Sequence, residues 1–281
     1  MTSAPKERPE PKRRRGRPRR FNNPLPDGGS VQAIDRALAT LAVIADSDGL
    51  TLTELAQQAG LPPSTAHRIL ASLEAHRFVA HDSERGLWVI GVGAFEVGSS
   101  FVRNRRLAGM GRLTMHEMME ETGETINLGV EDDGEVIFIS QIESHGALRA
   151  FFRAGSRADM HASGVGKALL AQMPDERIRA ILHRRGLTRF TDHTLTTAAD
   201  LFRDLAEVRA RGFAVDNEER TLGMRCVAAP IFNEYGEAIA GVSLSGPTVR
   251  VTPERAAELG PFVKRAAAKI TASIGGRAPA G

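Results

Sequence analysis

The chain has 281 residues, enough for two domains, and its hydrophobic content of 42% and charged content of 25% are ordinary for a soluble protein. It contains no run of about 18 apolar residues, and its basic N-terminus lacks the apolar core of a signal peptide. We therefore expect a cytoplasmic protein. The single cysteine, Cys226, excludes an intramolecular disulfide and cannot build a thiolate metal cluster.

The net charge of +3 is unevenly distributed, because residues 1–30 carry 9 Lys/Arg against 3 Asp/Glu. This tail is rich in Pro, Gly and Asn and has no apolar pattern, so we predict a disordered basic arm over residues 1–29. Within it, KRRRGRPRR resembles an AT-hook, in which Arg15 and Arg17 would lie in a narrow A/T minor groove. A polybasic arm that only holds phosphates fits the same residues.

The first ordered segment is predicted to be helical. Apolar residues recur at helical spacing over residues 31–46, at Val31, Ile34, Leu38, Leu41 and Ile44. They would help to form the core of a small domain.

Residues 51–79 read as two short helices joined by a tight turn. Thr51 and Glu54 have the spacing of a capping box, and Gly60 ends the first helix. Pro63 can start a second helix that runs to about His76. Strand-like runs at 78–81 and 87–90, separated by a polar turn, would then form a wing. The pattern predicts a winged helix-turn-helix domain over residues 30–92.

The second helix of this pair has two different faces. One face is apolar and carries Ala66, Ile69, Leu70 and Leu73. Small hydroxyl residues beside an arginine let a helix enter the major groove and reach base edges. We predict that the DNA-contacting residues are Ser64, Thr65, His67, Arg68 and Ser72. The alternative for this segment alone is an ordinary amphipathic helical hairpin.

A helical linker is predicted over residues 93–123, with a break near Asn104. Its methionines are typical either of a binding groove or of buried packing between domains or protomers, and we favour packing. The remainder, 124–281, alternates strands and helices and predicts an α+β domain. Expected strands cover 124–130, 135–142, 148–152, 212–216, 225–232 and 237–245, and expected helices cover 165–173, 175–185, 198–211 and 253–274.

The last strand pair permits a geometric prediction. If Phe232 pairs with Glu237 around a four-residue loop, Cys226 faces Ser243, and Ser245 lies on the same face. A thiol and two hydroxyls on one sheet face suit a small polar ligand, although small residues also fill a tight interior. Ser163 to Gly166 lies at a helix start, where free backbone N–H groups favour an anion. It is not a Walker loop, because Lys167 lacks the following Ser or Thr.

The chain resembles the IclR family of bacterial transcriptional regulators over residues 30 to about 276. The segments that carry this resemblance are VQAIDRALATLAVIA, LTLTELAQQAGLPPSTAHRILASLE, HASGVGKALLA, LTRFTDHTLTT, VRARGFAVDNEE, MRCVAAPIF and AIAGVSLSGP. Their number, order and spacing make the match specific. The resemblance implies a mixed α/β protein with a winged helix-turn-helix domain, a linker that helps to dimerise it, and a GAF-like effector-binding domain.

The resemblance also implies a ligand. In glyoxylate-responsive members, the effector pocket is lined by residues that correspond here to Gly164, Val165, Asp216, Cys226, Ser243 and Ser245. A small 2-oxo acid such as glyoxylate is therefore the expected effector, although other members take larger aromatic or acyl ligands. The expected partners are an operator in double-stranded DNA and further copies of the chain, in a homodimer or homotetramer. No cofactor is expected.

Two other classes of protein remain possible at this stage. A cysteine enzyme would need a base beside Cys226, and the histidines that could supply it are His145, His161, His183 and His193. No local signature joins any of them to a thiol mechanism. Some family members carry zinc in the C-terminal domain, but no His/Cys pair here has helical or hairpin ligand spacing.

Overall fold

The computed structural model describes residues 31–104, 107–146 and 154–279, which divide into two compact units between Ser100 and Phe101. The basic arm with Arg15 and Arg17, and the strand expected at 148–152, lie outside the described residues. None of the described helices is long and apolar enough to cross a membrane.

The first unit has the predicted winged helix-turn-helix fold. Its elements are α1 Gln32–Ala45, α2 Leu52–Ala59, α3 Pro63–Ala75, β1 Val79–Asp82, β2 Leu87–Ile90 and the start of α4 Val92–Asn104. β1 and β2 pair antiparallel as the wing. The core beneath them is formed by Ile44, Leu50, Leu55, Leu70 and Val79. Three helices therefore bury one small apolar cluster against the wing.

The turn between α2 and α3 follows directly from local chemistry. The Thr51 hydroxyl accepts from the Glu54 N–H at 3.3 Å, and the Glu54 carboxylate accepts from the Thr51 N–H at 3.0 Å, so the capping box is present. Gly60 ends α2 in the left-handed conformation at φ 66°. Pro63 occupies the first turn of α3, where its missing N–H costs nothing.

The apolar stripe of α1 is buried only at its C-terminal end. Ile44 is 1% exposed, whereas Val31, Ile34 and Leu38 are 58%, 56% and 49% exposed. Helical spacing was therefore correct, but the expectation that the whole stripe belongs to the core of this unit was wrong.

The second unit contains a six-stranded sheet in which every neighbouring pair is antiparallel. The strands are β3 Thr125–Asp132, β4 Glu135–Ile142, β5 Arg157–Asp159, β6 Ala214–Asn217, β7 Met224–Phe232 and β8 Ala238–Pro247. Their order across the sheet is β5-β4-β3-β8-β7-β6. The short edge strand β5 was not predicted from the sequence.

Helices cover both faces of this sheet, as expected for an α+β domain. One face packs against α5 Leu107–Thr122 and α9 Pro253–Ser273, and the other against α6 Gly164–Leu170, with α7 Asp175–Arg185 and α8 Ala198–Arg211 outside it. Met115, Met118 and Met119 of α5 are at most 2% exposed and belong to the core of this unit. These methionines therefore pack within one unit and do not line a groove.

The register of the β7–β8 hairpin differs from the prediction. Phe232 pairs with Ala238, and a bulge at Ile239 places Ile231 opposite Ala240. The different pairing of Phe232 and the bulge each move the register by one residue, two residues in all. Cys226 therefore lies opposite Ser245, and the predicted pairing with Ser243 was wrong. Because the two shifts add up to an even number, all three side chains stay on one face of the sheet.

Candidate functional site

Helix α3 presents the face that was predicted to contact DNA. Ser64, His67, Arg68 and Ser72 are exposed and Thr65 is half-buried, whereas Ala66 and Leu70 are fully buried. The buried pair holds the helix on the unit, and the opposite face carries small polar side chains beside one guanidinium. Such a face can enter a major groove.

A small, partly open cavity lies between the start of α6 and the sheet of the second unit. Its volume is about 20 Å³, room for about one water molecule. It is lined by Phe138, Ala158, Ala162, Ser163, Gly164, Asp216, Arg220, Cys226, Ser243 and Ser245. Five of the six residues expected to bind an effector meet here, although they are spread over distant parts of the unit's sequence.

The floor of the cavity is a row of polar side chains across three strands. Asp216, Cys226 and Ser245 are direct neighbours on β6, β7 and β8. Ser243 lies two residues along on the same face, beside the Cys226 thiol, and its buried hydroxyl makes no well-formed hydrogen bond within the described part of the chain. A thiol is only a weak hydrogen-bond partner, so this hydroxyl keeps hydrogen-bonding capacity for a ligand or a water molecule.

Two further polar residues support this row, and sequence reasoning missed both. The Asn127 amide donates to the Ser245 hydroxyl at 3.3 Å and accepts from Gln141 at 2.8 Å. Asn127 is completely buried. A buried Asn that interrupts the apolar run TINLGV was the available signal, since buried amides require partners.

Gly164 sits against Cys226 so closely that no side chain fits. A Cβ at this position would lie 2.7 Å from the Cys226 Sγ atom. Val165 is different, because its side chain is fully buried against the sheet and does not line the cavity. Val165 is thus the one predicted effector residue that the structure does not place in the wall of the cavity.

Asp216 is held by backbone donors. The Glu219 N–H donates to its carboxylate at 2.9 Å, and the Arg220 N–H donates as well. Burial nevertheless dominates and raises the pKa of Asp216 to about 6. The carboxylate is therefore ionised at neutral pH and titrates just below it.

The groups needed for thiol chemistry are not assembled around Cys226. Burial raises the pKa of the Cys226 thiol to about 11, and the Asp216 charge adds to the effect, so the thiolate is disfavoured. His161 is 3% exposed and its Nε2 atom lies 3.0 Å from the Thr188 carbonyl oxygen. Burial lowers the pKa of His161. His145 lies 3.5 Å from Glu120 on the surface.

Lys167 is a structural residue of this unit. It is completely buried, and its ammonium lies 2.6 Å from a Glu219 oxygen and 3.1 Å from an Asp204 oxygen. Two carboxylates compensate the cost of burying one cation. Since Glu219 also donates its N–H to Asp216, this cluster fixes the loop behind the cavity. Across the described ranges, no group of three His, Cys, Asp or Glu side chains is placed to hold a metal ion.

A winged helix-turn-helix unit and an α+β unit with a small polar cavity together define the class of DNA-binding transcriptional regulators with a sensor domain. The family model "IclR helix-turn-helix domain" matches residues 33–83, and "Bacterial transcriptional regulator IclR C-terminal" matches residues 100–272. The chain belongs to the IclR family of bacterial transcriptional regulators. It is a regulator and not an enzyme.

Known relatives extend over nearly the whole chain. The HTH-type transcriptional regulator BhcR of Paracoccus denitrificans is 47% identical over 271 residues, which cover 96% of this chain and 97% of BhcR. The transcriptional repressor IclR of Escherichia coli is 45% identical, covering 89% of this chain and 93% of the repressor. Among solved structures, an IclR homologue from Microbacterium hydrocarbonoxydans, complexed with 4-hydroxybenzoate, matches with a TM-score of 0.74 and 26% identity, covering 86% of this chain and 98% of the homologue.

Proposed function

We propose that this IclR-type regulator changes its affinity for an operator when a small 2-oxo acid such as glyoxylate occupies the cavity beside α6. The observation that carries the proposal is the buried Ser243 hydroxyl at the floor of the cavity, which keeps hydrogen-bonding capacity. A ligand with acceptor oxygens would satisfy it.

The cavity suggests how the ligand is oriented. The carboxylate takes the backbone N–H groups of Gly164 and Val165 and the hydroxyls of Ser243 and Ser245. Because α6 has only seven residues, its first N–H groups matter more than any helix dipole. Asp216 would repel the carboxylate, so it accepts a hydrogen bond from the other end of the ligand, where a hydrated aldehyde offers hydroxyls.

The second candidate effector is a larger organic or aromatic acid. It is favoured by the Microbacterium homologue, whose structure contains 4-hydroxybenzoate. The volume of about 20 Å³ argues for the smaller ligand, since an aromatic ring would require a much larger rearrangement of the walls.

On the DNA side, we propose that Ser64, Thr65, His67, Arg68 and Ser72 contact the operator. Two copies of the chain would present two α3 helices to the two half-sites of an operator. The active form is therefore a homodimer or a homotetramer built from dimers. The basic arm with Arg15 and Arg17 would add contacts in a minor groove or to phosphates. Such a protein acts in the cytoplasm.

The test is a calorimetric titration of the full chain with glyoxylate, pyruvate, dicarboxylic acids and 4-hydroxybenzoate, with operator release measured in parallel. The double variant Asp216→Ala, Ser243→Ala should bind glyoxylate at least about 100-fold more weakly, because hydrogen bonds to charged groups contribute roughly 1.5–3 kcal/mol each. Removing the Asp216 side chain alone should weaken the binding of glyoxylate more than that of pyruvate, because pyruvate hydrates less readily and offers Asp216 fewer hydroxyls.

The matched control is the double variant Asp192→Ala, Ser273→Ala. Asp192 is fully exposed, and neither residue lines the cavity. Undetectable binding of millimolar glyoxylate by the unaltered protein would reject this effector. Tight binding without any change in operator affinity would reject the regulatory role, because such a ligand favours neither state.

A further inference from the structure

The cavity must open before any organic acid can enter. Its volume of about 20 Å³ holds roughly one water molecule, and a 2-oxo acid is several times larger. Some part of the wall therefore moves when the ligand binds.

Most of the wall is rigid. Asp216, Cys226, Ser243 and Ser245 project from hydrogen-bonded strands in the middle and at one edge of the sheet. Phe138 is 4% exposed and belongs to the hydrophobic core behind the cavity. Moving any of these groups would disturb the sheet or the core, which are close-packed.

Among the described residues that line the cavity, Arg220 is the one whose side chain is both long and partly exposed, at 29%. Its guanidinium lies 3.1 Å from an Asp159 oxygen and 4.8 Å from the centre of the Phe190 ring. Partly exposed ion pairs and cation–π contacts each contribute little stability, so few interactions hold this guanidinium in place. This part of the wall can therefore open without unfolding anything.

Charge singles out the same residue. Among the described residues that line the cavity, Arg220 is the only one with a cationic side chain, and Asp216 is the only anionic one. An acidic ligand adds a second negative charge to this small space. Arg220 can neutralise it, because a guanidinium matches a carboxylate with two parallel hydrogen bonds.

We propose that Arg220 is both the gate of the effector cavity and the charge counterpart of an acidic effector. The guanidinium leaves Asp159 and the Phe190 ring to admit the ligand, then returns to close the cavity over it. The second role rests on the proposed function, whereas the gate does not depend on the identity of the ligand.

The gate can be tested without any effector, because Cys226 is the only cysteine in the chain and lines the cavity. Cys226 is half-buried, so a change in its alkylation rate by iodoacetamide, an uncharged reagent, reports how far a variant alters access to the cavity. We expect Arg220→Ala to accelerate alkylation at least about tenfold. Asp159→Asn should accelerate it as well, because it loosens the arginine while leaving it in place.

Arg203→Ala is the matched control, since Arg203 pairs with Asp200 on the exposed face of α8. Its alkylation rate should equal that of the unaltered protein. The thermal stability of each variant should also be measured. If alkylation required global unfolding, the alkylation rate would rise in step with the loss of stability, whereas opening of the gate raises it without such a loss. The pH dependence of the alkylation rate must show that the substitution leaves the pKa of the Cys226 thiol unchanged. An unchanged rate in Arg220→Ala and Asp159→Asn would overturn the gate.

The charge role is tested by titrating Arg220→Gln and Arg220→Lys with glyoxylate and with uncharged glycolaldehyde. Arg220→Gln should weaken the binding of glyoxylate at least about tenfold and the binding of glycolaldehyde much less. Arg220→Lys keeps the positive charge and should therefore retain part of the affinity for glyoxylate. If the unaltered protein binds glyoxylate and Arg220→Gln binds it equally well, the charge role is wrong and the proposed effector stands. If the unaltered protein binds no glyoxylate, the proposed effector and this role both fail, and the alkylation result still decides the gate.

Discussion

Helix α3 and the cavity beside α6 are built in opposite ways. The exposed polar face of α3 comes from a single run of 13 residues, and its geometry follows from the helical period. The cavity instead collects residues from β4, β5, the start of α6, β6, the loop after it, β7 and β8. A surface made by one helix can be read from local sequence, whereas a cavity depends on how distant strands pair.

Because of this difference, a methyl group added at the cavity should impair ligand binding and leave DNA binding by α3 unaffected. Gly164→Ala should weaken glyoxylate binding at least about 100-fold, since the new Cβ would lie 2.7 Å from the Cys226 Sγ atom and fill the cavity. Operator binding without effector should be unchanged, because α3 is independent of this contact. The measurement is a titration of effector and DNA with the same variant.

Gly109→Ala is the control for this variant. It also adds a methyl group to a helix of the second unit, but in open space. Normal glyoxylate binding by Gly164→Ala would mean that the effector binds somewhere else.

The buried acid at the cavity should give the second unit a specific pH dependence. The pKa of Asp216 is raised to about 6, above its unfolded value of about 3.8. A raised folded pKa contributes stability that is complete below the unfolded pKa and is lost as pH rises through the folded one. Relative to Asp216→Asn, the unaltered protein should therefore lose about 2 kcal/mol between pH 4 and pH 7.

Chemical denaturation of both proteins across this pH range would measure the loss. Asp192→Asn, at a fully exposed carboxylate, is the control and should leave the pH profile unchanged. A constant difference between Asp216→Asn and the unaltered protein would show that Asp216 titrates normally.

On helix α3, a single substitution should produce a smaller and more local effect. Arg68→Ala should weaken operator binding by roughly 1–3 kcal/mol more than it weakens binding to random DNA, because base contacts discriminate and phosphate contacts do not. Effector binding should be unaltered. Binding isotherms on both DNAs at one salt concentration decide the matter, and equal losses would assign Arg68 to the phosphate backbone.

The basic arm should have the smallest effect at physiological salt. Deleting residues 1–20 should flatten the dependence of affinity on salt, by roughly 0.9 in logarithmic slope for each phosphate that the arm neutralises. If the arm acts as an AT-hook, replacing A·T by G·C pairs next to the operator should mimic the deletion. Insensitivity to that replacement would leave a nonspecific polybasic arm.

The sequence alone determined those structural features that depend only on residues close together in the chain. The capping box at Thr51, the stop at Gly60 and the start at Pro63 act within a few residues of one another, so α2, α3 and the turn between them could be predicted. The two faces of α3 followed from the helical period. The alternation of β8 was sufficient to place Ser243 and Ser245 on one face, whereas Cys226 shares that face because the two register shifts add up to an even number.

Only the tertiary structure decided which residues meet. The bulge at Ile239 sets the true partner of Cys226, and no local signal in the sequence marks it. Asn127 supports Ser245 through strand pairing, and Arg220 lines the cavity from a loop that the sequence does not specify. Register and burial are properties of the whole packed sheet, so interactions that depend on them become visible only when the chain is folded.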